Sequence, residues 1–314
     1  MKKQRQHYVP RVYLKQFSKK KKGHFFAAGP KPEYLSIINS RHISQVCYLD
    51  NFYTLNERTK ELSNVDDIDY LEKKGFDYEN RMLPKVLSKL CHSNAYLDKS
   101  YFASLTNIYL NFKQRNLYYR QYFNNQDLSL MLDRHIDEME PSKKWIEEMS
   151  GESFYSFMGK IKSKIIQDKG LPGEMHKHTL IESTKGKNNA VNKINDILRK
   201  MIFYVLEPLH DSDYFITSDN PGFTLLGNKV YNTNFKSFDS VGFPINSKQT
   251  VFYSGTCMQN SLEIRKKINY IKLNTKDVDN VNYCTIYNSN KYVFCESKHY
   301  LQGIVERFLN EKSP

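Results

Sequence analysis

His7-Tyr8-Val9-Pro10-Arg11-Val12-Tyr13-Leu14-Lys15-Gln16-Phe17 places a histidine, a proline, two cations and three aromatic rings near the start of the chain, a region where proteins commonly carry a loose tail. So dense a mixture of apolar and functional groups calls for a docking place in the body of the fold. Pro10 suits the first turn of a helix, where its missing N–H costs nothing. The sequence therefore predicts an extended stretch from His7 to Val9 and a short helix after Pro10. Tyr13 and Phe17, four apart, give that helix an apolar face. Arg11 and Lys15, also four apart, set two positive charges side by side, which weakens a helix unless an anion faces them. The anion is either a carboxylate of the fold or the phosphate of a ligand. A solvated cationic face is the plain alternative.

Outward from this segment, the 314 residues suffice for one large core. The fold class expected is α+β: a mixed sheet, a central helical region and the N-terminal segment packed into the body. The expected division of a single domain is an N-terminal segment with a small sheet over 1–60, helices over 65–207, a β-rich region over 210–298 and a closing helix over 299–311. No run is long and apolar enough to cross a bilayer, mean hydropathy is −0.66, and the charged start has no apolar signal core behind it. A cytoplasmic protein with no membrane partner is expected. Five cysteines (Cys47, Cys91, Cys257, Cys284, Cys295) are scattered without paired metal spacing and are expected to be reduced and buried.

The formal charge of +13 and a pI near 9.2 favour polyanionic partners. Up to His24 there are nine Lys or Arg and no acid, whereas 133–152 is rich in carboxylates, so one pole should be positive. Aromatics make up 14%, with 23 Tyr against one Trp, and such rings can stack on exposed bases. An AT-rich genome, which favours Lys, Asn, Tyr and Ile codons, would produce the same bias.

A helical period runs from Val65 to Leu90, with Pro84 expected to kink or reopen it. Glu79 falls on its apolar stripe, where a carboxylate must find a partner, a proton or a metal. The clearest helix covers Tyr101 to Phe123, interrupted by Arg115, an arginine that cannot discard its charge. It should pair with a carboxylate, Glu79 first, or be aimed at a bound phosphate. Further helices are expected over 133–149, 154–166 and 191–206. Glu174-Met175-His176-Lys177-His178 holds a His-x-His pair, but it follows Pro172-Gly173 without another ligand nearby and reads as an exposed loop. Strands are expected over 24–28, 43–53, 213–216, 241–245, 250–253, and in a final hairpin of 283–287 with 292–295.

The second informative stretch is Asp213-Tyr214-Phe215-Ile216-Thr217-Ser218-Asp219-Asn220-Pro221, an apolar run ending in four turn-forming residues. It places Ser218, Asp219 and Asn220 at a rigid strand end, a common address of reacting groups, although a plain Asx turn explains it equally. With the opening His-Tyr-Val-Pro and its Tyr-Leu-Lys-x-Phe run, this Thr-Ser-Asp-Asn-Pro segment resembles a bacterial family of unknown function found in anti-phage defence loci. The resemblance extends to the Phe243-Pro244-Ile245 step and, loosely, to an acidic helix followed by Gln114-Arg115. It implies an effector that acts when phage is sensed, with a phage-encoded trigger protein as a partner.

The residues name no reaction by themselves. A phosphate-cradling glycine loop, a nucleophile elbow and a zinc pair are all missing, and Glu72-Lys73-Lys74 and Glu296-Ser297-Lys298 only echo a restriction-nuclease arrangement. The preferred expectation is a nuclease acting on RNA rather than DNA, arresting the infected host as a toxin does in abortive infection. His7 would be general acid or base, Arg11 and Lys15 would hold the phosphate, and Asp219 with Glu79 would orient His7 or hold Mg2+, the one cofactor considered. Arg115, Ser218 and Asn220 would complete the substrate contacts. The alternative is non-catalytic: His7, Glu79, Arg115 and Asp219 form a buried network that pins the N-terminal segment while the basic pole binds nucleic acid or protein.

Overall fold

The computed structural model describes residues 4–19, 22–29, 38–91, 95–121, 125–227, 229–231, 238–256 and 265–311. β1 (Arg5–His7) is extended, and α1 (Arg11–Leu14) starts directly after Pro10, whose carbonyl accepts from the amides of Tyr13 and Leu14. A 3-10 turn, Lys15–Phe17, completes it. β2 (His24–Ala28), β3 (Asn39–His42) and β4 (Tyr48–Asp50) lead to α2 (Glu57–Ser63), a π-turn at Leu71–Gly75, α3 (Asp77–Cys91) and β5 (Tyr96–Asp98). The helical middle comprises α4 (Lys99–Arg115), α5 (Leu117–Gln121), α6 (Asn125–Glu138), α7 (Lys143–Ser150), α8 (Phe154–Gln167), α9 (Leu171–Thr184) and α10 (Asn189–Lys200). There follow β6 (Met201–Pro208), β7 (Thr217–Ser218), β8 (Phe223–Leu226), β9 (Lys229–Tyr231), β10 (Ser240–Asn246), β11 (Gln249–Thr256), β12 (Arg265–Lys267), β13 (Asn269–Leu273), α11 (Thr275–Asn288), β14 (Val293–Cys295) and α12 (Lys298–Asn310).

The main sheet has six strands in the order β13-β6-β11-β10-β8-β9 and is mixed, because β13 runs parallel to β6 while the other neighbours are antiparallel. Side chains alternate across it, so each face meets different helices. Phe203, Val205, Val251, Tyr253 and Phe243 join Phe102, Leu105, Ile108 and Phe112 of α4 in the principal core. Leu206 and Phe215, with Tyr204 and Phe252 against them, pack with Val278 of α11 on the opposite face. A four-stranded sheet, β3-β2-β14-β7, rests on α12.

The opening segment belongs to the principal core. Tyr13, Leu14 and Phe17 are buried completely, and the Tyr13 ring stacks on Phe243 at 5.4 Å and meets Phe112 edge-on at 5.0 Å. Each such side chain contributes about 1.5–3 kcal/mol by burial, enough to hold a four-residue helix that could not persist alone.

The structure departs from sequence expectation where tertiary packing overrides local pattern. The helix expected through Tyr101–Phe123 breaks at Asn116, which adopts extended geometry with ψ 165°, and residues 122–124 lie outside the described residues. Met201–Pro208 is a strand rather than the end of a helix, because its two alternating faces both find cores. The 283–287 stretch ends α11 instead of forming a hairpin strand; the Asn274 side chain caps that helix by accepting from the Asp277 amide at 3.0 Å. His176 and His178 sit on α9, not a loop. Within 43–53 only Tyr48–Asp50 is a strand, after a 3-10 turn at Ile43–Gln45, and the strand expected over 213–216 does not form; pairing begins at Thr217–Ser218. Pro84 sits inside an unbroken α3. The loop expected at 30–40 falls largely outside the described residues.

Cys47 and Cys295 are buried free thiols and Cys284 is partly exposed. Cys257 and the Cys91 side chain lie outside the described residues. No described helix is long and apolar enough to cross a membrane.

Candidate functional site

Arg115 ends α4 inside the protein, 3% exposed, and organises the first of two polar knots. Its Nη1 donates to Oε2 of Glu79 on α3, and its Nη2 donates to the His7 carbonyl at 2.6 Å. The guanidinium also lies 3.5 Å from the centre of the Phe76 ring, and the Tyr53 hydroxyl donates to the Arg115 carbonyl at 2.9 Å. Burial lifts the pKa of the fully enclosed Glu79 carboxyl, and Arg115 pulls it back down. Gln6 ties the same strand down by accepting from the Tyr53 amide at 2.5 Å. β1 is thus clamped on both sides of its short span.

The second knot is built on Ser218-Asp219-Asn220. Both carboxylate oxygens of Asp219 accept backbone amides, from Asn290 and from Lys291, at 2.8 Å each, and its own amide donates to the Tyr292 carbonyl at 3.1 Å. Burial raises the Asp219 pKa to about 6, while those amides pull the other way. Asn220 Nδ2 donates to the Asn288 carbonyl at 2.7 Å, and Asn288 Nδ2 returns a bond to the Asn220 carbonyl at 3.0 Å. Lys113 and Asn116, at the end of α4, both donate to Asn220 Oδ1. Ser218 Oγ accepts the Asn220 amide at 3.1 Å, which closes the turn.

Tyr13 joins the opening segment to this region. Its hydroxyl donates to the Pro244 carbonyl at 2.7 Å and lies 2.7 Å from Thr217 Oγ1. Three stretches distant in sequence therefore meet at one tyrosine.

His7 is half-buried, its ring 5.7 Å from that of Tyr48 and its Nε2 without a hydrogen-bond partner among the described residues. Burial first, then the nearby Arg11, lowers its pKa to about 4, so the imidazole is neutral at pH 7. No hydrogen bond joins His7 to Asp219 or Glu79 among the described residues. Burial raises the pKa of both Tyr8 and Cys47, and the buried Asp219 charge raises them further. Arg11 and Lys15 are exposed, and no described carboxylate pairs with either. Asp219 and Glu79 hold different partners, the amides of Asn290 and Lys291 for the first and the Arg115 guanidinium for the second. On α9, His176 bonds the Gln114 carbonyl at 2.7 Å and His178 the Ser63 hydroxyl at 2.9 Å, away from each other.

Beside the second knot opens a pocket of about 330 Å3. Tyr8, Gln45, Cys47 and Tyr48 line it from the first fifty residues, Arg41 from β3, Leu117 from α5, and Lys291 and Tyr292 from the turn after α11. No acidic side chain is among its lining residues. Arg5 lies 4.8 Å over the Tyr48 ring and adds another cation near the rim. Cys47 carries a φ of 55°, uncommon outside glycine, and its carbonyl accepts the Tyr8 amide at 2.9 Å. Asp219 does not itself line the pocket; it fixes the backbone of the wall that does. Sequence reading missed Arg41, Cys47, Tyr48, Lys291 and Tyr292, which stand in no motif and meet only through the fold. The Asn288-Ser289-Asn290 turn signal was the one local pointer to that wall.

These features define an α+β protein with a mixed sheet, whose polar motifs form a buried frame next to a cationic, tyrosine-lined pocket. The chain belongs to the family of proteins of unknown function DUF4238, whose family model matches residues 5–299. No curated protein and no solved structure matches it.

Proposed function

We propose that this chain is a nucleic-acid-binding protein of anti-phage defence, with RNA the favoured ligand, and that His7, Glu79, Arg115, Ser218, Asp219 and Asn220 serve as the frame of its binding face. The observation that carries this reading is the pocket whose lining joins Arg41 and Lys291 to Tyr48 and Tyr292 without an acid. Cations neutralise phosphates and release counterions, while tyrosines stack on bases that single-stranded RNA leaves unpaired. The defence role, with a phage protein as trigger, rests on the sequence resemblance.

A second reading, a nuclease that arrests the host, is favoured by one observation. His7 is a neutral imidazole beside Arg11 whose enclosed Nε2 has no partner among the described residues, a base for a ribose hydroxyl once that nitrogen is uncovered. Fluorescence anisotropy with labelled single-stranded RNA, duplex RNA and DNA tests the first reading. Single-stranded RNA should bind, and the Arg41→Ala, Lys291→Ala double variant should bind at least about tenfold more weakly with an unchanged melting temperature. If RNA stays unbound in 50 mM salt, the binding reading is lost. Gel analysis of the same mixtures tests the second: fragments that vanish with His7→Ala, at an unchanged melting temperature, would establish cleavage.

A further inference from the structure

We infer that the pocket between Tyr48 and Tyr292 is a mononucleotide subsite, taking one unpaired nucleotide with its phosphate held by Arg41 and Lys291; this rests on the nucleic-acid reading above. Size limits the ligand first. A volume of about 330 Å3 stands at the low end of the roughly 300–1,000 Å3 of small-molecule pockets, room for one base with its sugar and phosphate but not for a base pair.

The lining chemistry then selects within that size. Arg41 and Lys291 are exposed and have no ion-pair partner among the described residues. A guanidinium offers a fork that fits a phosphate, and an ammonium adds a mobile point charge. The nearest buried carboxylate, Asp219, is already engaged with the amides of Asn290 and Lys291, both at 2.8 Å. Tyr292 is 43% exposed, whereas Tyr13, Tyr53, Tyr109 and Tyr253 are fully buried; Phe294 lies beside its ring at 6.4 Å, and the exposed remainder is what a base meets. Gln45 uses Oε1 to accept the His42 amide at 3.1 Å, which leaves its amide N–H groups to meet a carbonyl on a base edge.

The wall is also set in advance. Asp219 grips the backbone at Lys291 and Tyr292, so a ligand meets a cation and a ring already in position. Such a site accepts a nucleoside monophosphate unit, whether as a free nucleotide or as an unpaired phosphorylated end of RNA.

Calorimetry on the full chain tests this with AMP, GMP, CMP and UMP, the matching nucleosides, inorganic phosphate, and short RNA with or without a 5′ phosphate. The expected result is saturable binding of at least one monophosphate, at least tenfold tighter than its nucleoside and than phosphate alone. Arg41→Gln and Lys291→Gln should each weaken it about tenfold, and Tyr292→Ala should weaken the monophosphate without changing phosphate binding. The melting temperature should hold in all three. Competition by 5′-phosphorylated RNA assigns the site to RNA ends, and its absence assigns it to free nucleotides. If long RNA binds while no monophosphate does, or if phosphate binds as tightly as the monophosphates, the subsite is overturned and the nucleic-acid reading survives. If neither RNA nor monophosphate binds, both fall.

Discussion

Lys113 and Arg115 stand two residues apart at the end of α4, both buried, and their chemistry forces different solutions. Arginine stays charged at any ordinary pH, so Arg115 requires the Glu79 carboxylate. Lysine can release its proton, and burial pushes the Lys113 pKa well below the usual range; its Nζ donates to Asn220 Oδ1 at 3.1 Å and to the Gly222 carbonyl. Arg115→Ala should therefore cost about 3–5 kcal/mol in urea unfolding, because Glu79 is stranded, whereas Lys113→Met should cost about 1–3 kcal/mol. Equal losses would contradict the expectation that Arg115, unlike Lys113, needs a countercharge. His176 supplies a pH dependence. Burial holds its pKa near 4 against 6.5 in the unfolded chain, so between those values the unfolded state binds more protons and stability falls on acidification. The full displacement corresponds to about 3 kcal/mol. Asp219, raised to about 6, acts with the opposite sign over 3.8 to 6, since its folded form keeps the proton to higher pH. The contrast with His176→Gln removes that contribution. The variant should lose less melting temperature than the parent between pH 7 and pH 5, and identical profiles would exclude His176 as a neutral buried imidazole.

Among the elements, α1 shows what local reading can and cannot supply. Pro10 and the spacing of Tyr13 and Phe17 made its start and apolar face legible, and the cost of an unpartnered Arg115 pointed to Glu79 across two helices. β6 and α11 were not legible, because an apolar run of Met201–Pro208 and the β-prone Tyr283–Tyr287 each fit two periods until the neighbouring layers decide. The pocket lining was illegible for the same reason, being composed from β3, the residues around β4 and the turn after α11. Tyr13→Phe removes the donor to Pro244 and a partner of Thr217 while keeping the stacked ring, so it should cost about 1–3 kcal/mol and weaken RNA binding only through lost stability. Gly222 is the point where the second knot turns into β8. Its φ is +75°, and a Cβ there would fall 2.5 Å from the Tyr109 ring and 3.0 Å from the Gly242 carbonyl. Gly222→Ala is expected to lower stability by about 2–3 kcal/mol, read as a lower urea midpoint at constant slope.

Over the whole molecule, a surplus of 13 positive charges would bind any polyanion weakly, so affinity alone does not identify a built site. Salt dependence does. Each phosphate neutralised on a single strand contributes about −0.7 to the slope of log affinity against log salt. Because Arg41 and Lys291 hold one phosphate between them in the proposed subsite, the double Ala variant should show a slope shallower by about 0.7, with a loss that fades as salt rises. A diffuse basic surface predicts otherwise. Removing two of 47 Lys and Arg residues would then change the slope no more than removing two exposed lysines elsewhere, such as Lys298 and Lys276. Measuring both pairs between 50 and 300 mM salt separates the alternatives, because only a localised site makes the identity of the lost charges matter.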